Sequence, residues 1–198
     1  MKLSADQNYA DAQFDLGFFY YQNGDIKKAM HYLLLSSKQN NKNANYVLGE
    51  IYYIGKYVKR NIHTAIYYFT LSANQNLKNA QFVLGEIYLK GIFIPANLSK
   101  AIYYFTLAAN QNHSNALLYL ASIEYNRNNM NKAINYFYRS ALKKNIQGIF
   151  IYAFFNHEGK YIEKNIHEAI KLYKEASNMY HQYSKNNLGI IYKNGFDD

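Results

Sequence analysis

The sequence predicts an all-α fold, a right-handed α-solenoid of antiparallel helix pairs, and three observations point there. Strings recur at a fixed interval: VLGEIY at 47–52 and 83–88, AIYYFTL at 65–71 and 101–107, ANQN at 73–76 and 109–112, each pair 36 residues apart. Apolar residues inside each interval follow helical spacing, as with Ala80, Leu84, Ile87 and Tyr88. One Pro and ten Gly in 198 residues leave too few turn formers for an all-β chain.

Two markers set the frame. A Leu-Gly dipeptide or its stand-in falls at Leu16-Gly17, Leu48-Gly49, Leu84-Gly85, Leu120-Ala121, Tyr152-Ala153 and Leu188-Gly189. An Ala before an aliphatic residue falls at Ala29, Ala65, Ala101, Ala133 and Ala169. The frame is one repeat domain over 1–198, with repeats at about 12–43, 44–79, 80–115, 116–147 and 148–183 and a half-repeat at 184–198. About eleven helices are expected.

The first helix of each repeat, helix A, carries the Leu-Gly marker. Glycine there costs ~1 kcal/mol against Ala in a helix, so a packing reason is expected, with the helix B alanine facing the gap. Asp25, Asn61, Asn97, Asn129 and Asn165 each stand four residues before that alanine and are expected to cap helix B. Asn40, Asn76 and Asn112 follow helix B, where Asn tolerates the left-handed backbone. Lys144 and Tyr180 stand at the equivalent place and suggest different turns there. Tyr20, Tyr52, Tyr88 and Tyr192, four after the Leu, are expected as core spacers between helices.

Ala-x-x-x-Leu-Gly-x-x-Tyr in helix A, with an early Ala in helix B, resembles the tetratricopeptide class. The segments 55–61, 91–97 and 159–165 each place a Gly first, an aliphatic residue three later and a cap six later. They resemble the loops of the Sel-one-like repeat (SLR) family, and the resemblance covers about 12–198. Repeats one and four lack this insertion, Asn mostly stands where the family has Asp at the helix B cap, and Glu124 and Asn156 replace the helix A tyrosine. The resemblance implies a helical-repeat adaptor that assembles protein complexes.

No catalytic constellation stands out. The absence of Cys excludes disulfides, thiolate metal sites and cysteine nucleophiles. His63 and His167 share one repeat position and read as solvent-facing first-turn residues. His31, His113, His157 and His181 show no metal-ligand spacing. No carboxylate pair is set apart for acid–base work, and each glycine has a packing or turn role. The expectation is no enzyme, no cofactor, no metal and no small-molecule substrate. No run of ~18 apolar residues spans a membrane, and the opening MKLSADQNYADAQFD has no apolar signal core. A cytoplasmic location is therefore expected.

The formal charge is +9, with Lys56, Lys59, Arg60, Lys90, Lys100, Lys160, Lys164, Lys171 and Lys174 in the A–B loops and helix B. The expected partner is a protein or peptide. The rival reading is a basic solenoid binding nucleic acid or an acidic membrane surface. Chain 184–198 supplies a helix A with no following helix B, which suggests capping by Leu188, Ile191 and Tyr192 and self-association through that end.

In a solenoid the far side of helix A lines the groove. Counting from the Leu of each repeat, the groove candidates are Phe14, Phe18 and Tyr21; Tyr46, Glu50 and Tyr53; Phe82, Glu86 and Leu89; Leu118, Ser122 and Tyr125; and Phe150, Phe154 and His157. Asn43, Asn79 and Asn115 form a ladder at the start of helix A, read either as caps or as amides that pair with a partner backbone. With Glu50 and Glu86 in the groove, the expected ligand is an apolar peptide with some positive charge.

Overall fold

The structure, a computed structural model, describes residues 9–196. These form eleven α-helices and no strand: α1 Ala10–Gln22, α2 Ile26–Lys38, α3 Lys42–Ile54, α4 Ile62–Asn74, α5 Lys78–Lys90, α6 Leu98–Asn110, α7 Ser114–Asn126, α8 Met130–Leu142, α9 Ile146–Glu158, α10 Ile166–Asn178 and α11 Gln182–Lys193. Odd-numbered helices are helix A and even-numbered ones helix B. The chain divides into two compact units, one ending at Ala108 and the other beginning at Ala109.

In the first unit the helix A glycines are contact points. A β-carbon on Gly49 would stand 2.6 Å from the Phe69 ring, one on Gly85 2.5 Å from Phe105, and one on Gly17 2.9 Å from Leu33. The sequence expectation that the helix B alanine fills this gap is corrected. The filling side chain stands four residues after it, one helical turn on. Ala29, Ala65 and Ala101 are themselves fully buried. Two core clusters result, one around Ala29, Leu33, Val47 and Leu48, the other around Ala65, Phe69, Leu84 and Ile87.

The second unit repeats the scheme with Ala121 and Ala153 in place of glycine and Phe137 and Tyr173 as the filling rings, all buried. Leu188 and Ile191 of α11 complete the last cluster, while Tyr192 is exposed. A β-carbon on Gly189 would meet nothing within 4 Å.

Helix B begins as its sequence dictates. The side-chain oxygens of Asp25, Asn61, Asn97 and Asn165 accept from backbone N–H groups three residues on. Asn129 makes no such bond, and its amide donates to Glu124 Oε2 at 2.8 Å instead.

The turn after helix B is uniform. Asn40, Asn76, Asn112, Lys144 and Tyr180 all adopt φ between 58° and 65°, so the Lys144 and Tyr180 turns do not differ as the sequence suggested. One reason is backbone closure: the N–H groups of Asn41, Leu77, Asn145 and His181 donate to the carbonyls of Ser36, Ser72, Ser140 and Ala176. This is the six-to-one bond of a Schellman turn. The same serines donate through Oγ to the carbonyls of Ala10, Lys42 and Ser114, the first residues of α1, α3 and α7. Each buried hydroxyl thus ties the end of helix B to the start of its own helix A.

Three of the four tyrosines expected as spacers are half-buried at the A–B seam, and exposed Tyr192 is not one of them. Tyr20, Tyr52 and Tyr88 stack on Tyr32, Tyr68 and Tyr104 at 5.9, 5.9 and 5.8 Å.

Gly49→Leu and Gly85→Leu are expected to destabilise the chain by ~1–3 kcal/mol or more through overpacking against the rings. Gly189→Ala is expected to be neutral or stabilising by up to ~1 kcal/mol, because it relieves helix-interior glycine without a clash. Urea unfolding checks both. Equal losses at Gly49, Gly85 and Gly189 would refute the role of the ring contacts.

Candidate protein-binding face

The groove candidates of the first unit lean on one another and on the core. Phe14 and Phe18 stack at 5.7 Å along α1, and Phe18 meets Tyr21 at 6.5 Å. Tyr46 and Tyr53 both touch the Phe69 ring, at 5.7 and 6.4 Å, and Phe82 touches Phe105 at 5.8 Å. All are half-buried, as is Leu89. Their outer edges are available, but their inner edges support the rings that fill the glycine gaps.

The A–B loop adds an aromatic that the groove assignment missed. Tyr57 meets Tyr21 edge to face at 6.3 Å, and Phe93 meets Tyr53 in the same way at 6.3 Å. The signal was present in the sequence: Tyr57, Phe93 and Tyr161 each stand two residues after the loop glycine.

The two acids differ. Glu86 is paired with Lys90 of its own helix at 2.7 Å. Glu50 accepts from the Tyr46 hydroxyl, and burial pushes its carboxyl above the ordinary range. The Asn ladder is not a set of caps. Asn43, Asn79 and Asn115 lie inside the first turns of α3, α5 and α7, whose cap positions are Asn41, Leu77 and His113. Asn115 Oδ1 instead accepts from Asn145 Nδ2 at 2.6 Å, which links α7 to the cap of α9. Asn41 reaches back to Asp11 in the same manner.

In the second unit the candidates part into two groups. Phe150 and His157 surround Tyr173: Phe150 lies 5.9 Å from it and 4.5 Å from His181, and His157 meets it edge-on at 6.2 Å. Burial lowers the His181 pKa and raises that of Tyr173 to about 12. Leu118 packs on the Phe137 cluster, and its carbonyl accepts from Ser122 Oγ.

Ser122, Tyr125 and Phe154 line a cavity of about 550 Å³ between α7 and α9. Phe137, Ile151 and Phe155 complete its apolar walls, and Glu158, Lys160 and Tyr161 stand among its lining residues. Tyr125 and Phe154 are 44% and 43% exposed, among the most open of the aromatic groove candidates. The repeat-equivalent space beside Tyr21, Ile51 and Tyr57 holds only about 250 Å³.

Several of the basic residues have local partners. Lys28, Lys56, Lys100 and Lys160 place their ammonium groups 4.8–5.2 Å from the rings of Tyr20, Tyr57, Tyr88 and Tyr161. Arg60 lies over Phe93 and donates to the Ile54 carbonyl at the end of α3. His63 and His167 are exposed, as expected for first-turn residues. Among the described residues no helix is long and apolar enough to cross a membrane, and no group of three metal-ligating side chains assembles.

Glu50 yields a pH test. A carboxyl whose folded pKa is raised binds its proton more tightly when folded, so its stability contribution falls as pH rises through that pKa. Glu50→Gln is therefore expected to raise the melting temperature at neutral pH, with the gain shrinking as the pH is lowered below the folded pKa. A constant or reversed difference in thermal melts across pH 4–8 would contradict this.

The sequence matches the Sel1 repeat family over residues 10–41, 42–77, 78–113, 116–145 and 146–181. A protective antigen of uropathogenic Escherichia coli strains that displays an SLR fold superposes with a TM-score of 0.92 at 22% identity. That alignment covers 98% of this chain and 44% of the antigen, so the chain spans less than half of that protein's length. A Sel1 repeat protein from Oxalobacter formigenes gives a TM-score of 0.80 at 23% identity, covering 93% of this chain and 79% of its own. Comparison with curated proteins gives no match. At these identities the superpositions establish the shared helical-repeat fold, and with five family repeats spanning most of its length the chain belongs to the Sel1 repeat family.

Proposed function

We propose that this chain is a non-catalytic scaffold that holds an extended or helical segment of a partner protein against its helix A faces. Sel1 repeats generally serve as protein–protein interaction scaffolds. The observation that carries the finer reading is the aromatic opening between α7 and α9, where Tyr125 and Phe154 present rings that the fold leaves more than two-fifths exposed. Rigid aromatic side chains around a pocket give large contact area at low entropic cost and often become hot spots. The rival reading, a basic rod on nucleic acid or an acidic membrane, rests on the net charge of +9, which neither the ring contacts nor the ion pairs reduce. The exposed face of α11, with Tyr183, Gly189 and Ile190, is a second contact surface, through which we infer self-association.

Tyr53 and Phe82 remain proposed groove residues, but their support of Phe69 and Phe105 makes Ala variants there costly to the fold. Tyr125→Ala and Phe154→Ala separate binding from folding better. Each is expected to weaken partner binding by ~1–3 kcal/mol, whereas exposed Lys59→Ala changes little. Isothermal titration with a partner identified by affinity capture and cross-linking measures this. Dominance of Lys59 with a steep loss of affinity in salt would favour the basic rod. Sedimentation of the intact chain over a concentration series tests self-association, and a monomer throughout would end that part of the reading.

A further inference from the structure

The cavity between α7 and α9 differs from its counterpart in the first unit by a missing ring contact. Where the loop aromatic follows α3, Tyr57 closes edge to face on Tyr21 at 6.3 Å, and where it follows α5, Phe93 closes on Tyr53. The matching pair after α9 is Tyr161 and Tyr125. Both line the cavity, yet Tyr161 leans on Phe155 at 6.1 Å, and Tyr125 makes no ring contact among the described residues. Two side chains differ between the sites: Phe155 stands where Ile51 and Ile87 stand and its ring meets the loop aromatic, and Ser122 stands where Phe18 meets Tyr21. A slot lined by Tyr125 and Tyr161 is left open, with Phe154 and buried Phe137 also in its lining.

The charge at the opening narrows the occupant. Lys160 has its ammonium 5.2 Å from the Tyr161 ring centre, whereas Glu158 makes no ion pair among the described residues. We propose that this slot takes an aromatic side chain from a partner peptide, with a Lys or Arg next to it in sequence to meet Glu158. Aromatic rings favour offset or edge-to-face partners at 4.5–7 Å, the geometry that the closed counterparts already show. The proposal rests on the scaffold reading and specifies the chemistry of its ligand.

The test is selection of phage-displayed random dodecapeptides on the intact chain, followed by titration of synthetic copies of the winners. The expected winners share an aromatic residue beside Lys or Arg. Tyr125→Ala and Phe154→Ser should each raise their Kd by ~10-fold or more, with thermal melts confirming the fold. Glu158→Lys, at an exposed position, should switch the preferred neighbour from basic to acidic whether or not the ring variants fold well. Winners that lack an aromatic, or bind all three variants as tightly as the parent, would overturn the slot while leaving the scaffold reading standing. Recovery of no peptide would overturn both. Concentration-dependent dimerisation abolished by Phe154→Ser would assign the slot to a second copy of the chain and overturn the peptide proposal.

Discussion

Close approach of helix A to helix B, set by a bulky helix B side chain packed against a glycine or alanine of helix A, governs this chain. Phe69 and Phe105 lie where β-carbons on Gly49 and Gly85 would be. In the second unit Ala121 and Ala153 take the small position against Phe137 and Tyr173. The spacing fixes where the seam tyrosines can stack, and buried Ser36, Ser72 and Ser140 then fasten α2, α4 and α8 to the starts of α1, α3 and α7. Interiors at crystal-like density transmit such a constraint, so the outer aromatics inherit their positions from the inner ones.

That inheritance makes the outer face sensitive to single core choices. Where Phe155 replaces Ile51 and Ser122 replaces Phe18, the loop aromatic meets a different ring and the cleft is larger. Repeats with nearly the same frame can therefore present different surfaces without any change in helix length or loop length. The basic residues follow a similar economy. Several complete aromatic faces beside them, so the rings set where these ammonium groups stand while their charge is kept.

Much of the fold was legible because its determinants are local and repeated. The frame, the helix number and the caps at Asp25, Asn61, Asn97 and Asn165 each follow from a residue and its near neighbours. The partner of each glycine was legible only to within a turn, since periodicity gives the face of a helix and not the height at which the next helix meets it. Of the two readings of the Asn43 ladder the capping one fails, because Asn41 and Asn43 are both good caps in isolation and only the helix start tells them apart. For the candidate site, register found Ser122, Tyr125 and Phe154 but could not find Phe155 or Tyr161. Their role depends on a contact between a loop and a helix, which no single-helix periodicity records.

The uniform turn after helix B has a consequence for how the chain can change. Lys144 and Tyr180 hold the left-handed backbone that Asn holds elsewhere, and backbone hydrogen bonds close the turn around them. A non-glycine residue there costs about 1–2 kcal/mol, and the turn geometry places no further demand on its identity. Tyr180 is 91% exposed, so its ring is displayed rather than packed. These corners are places where new side chains can be tried on the surface at a small fixed penalty, while the helices on either side keep their register.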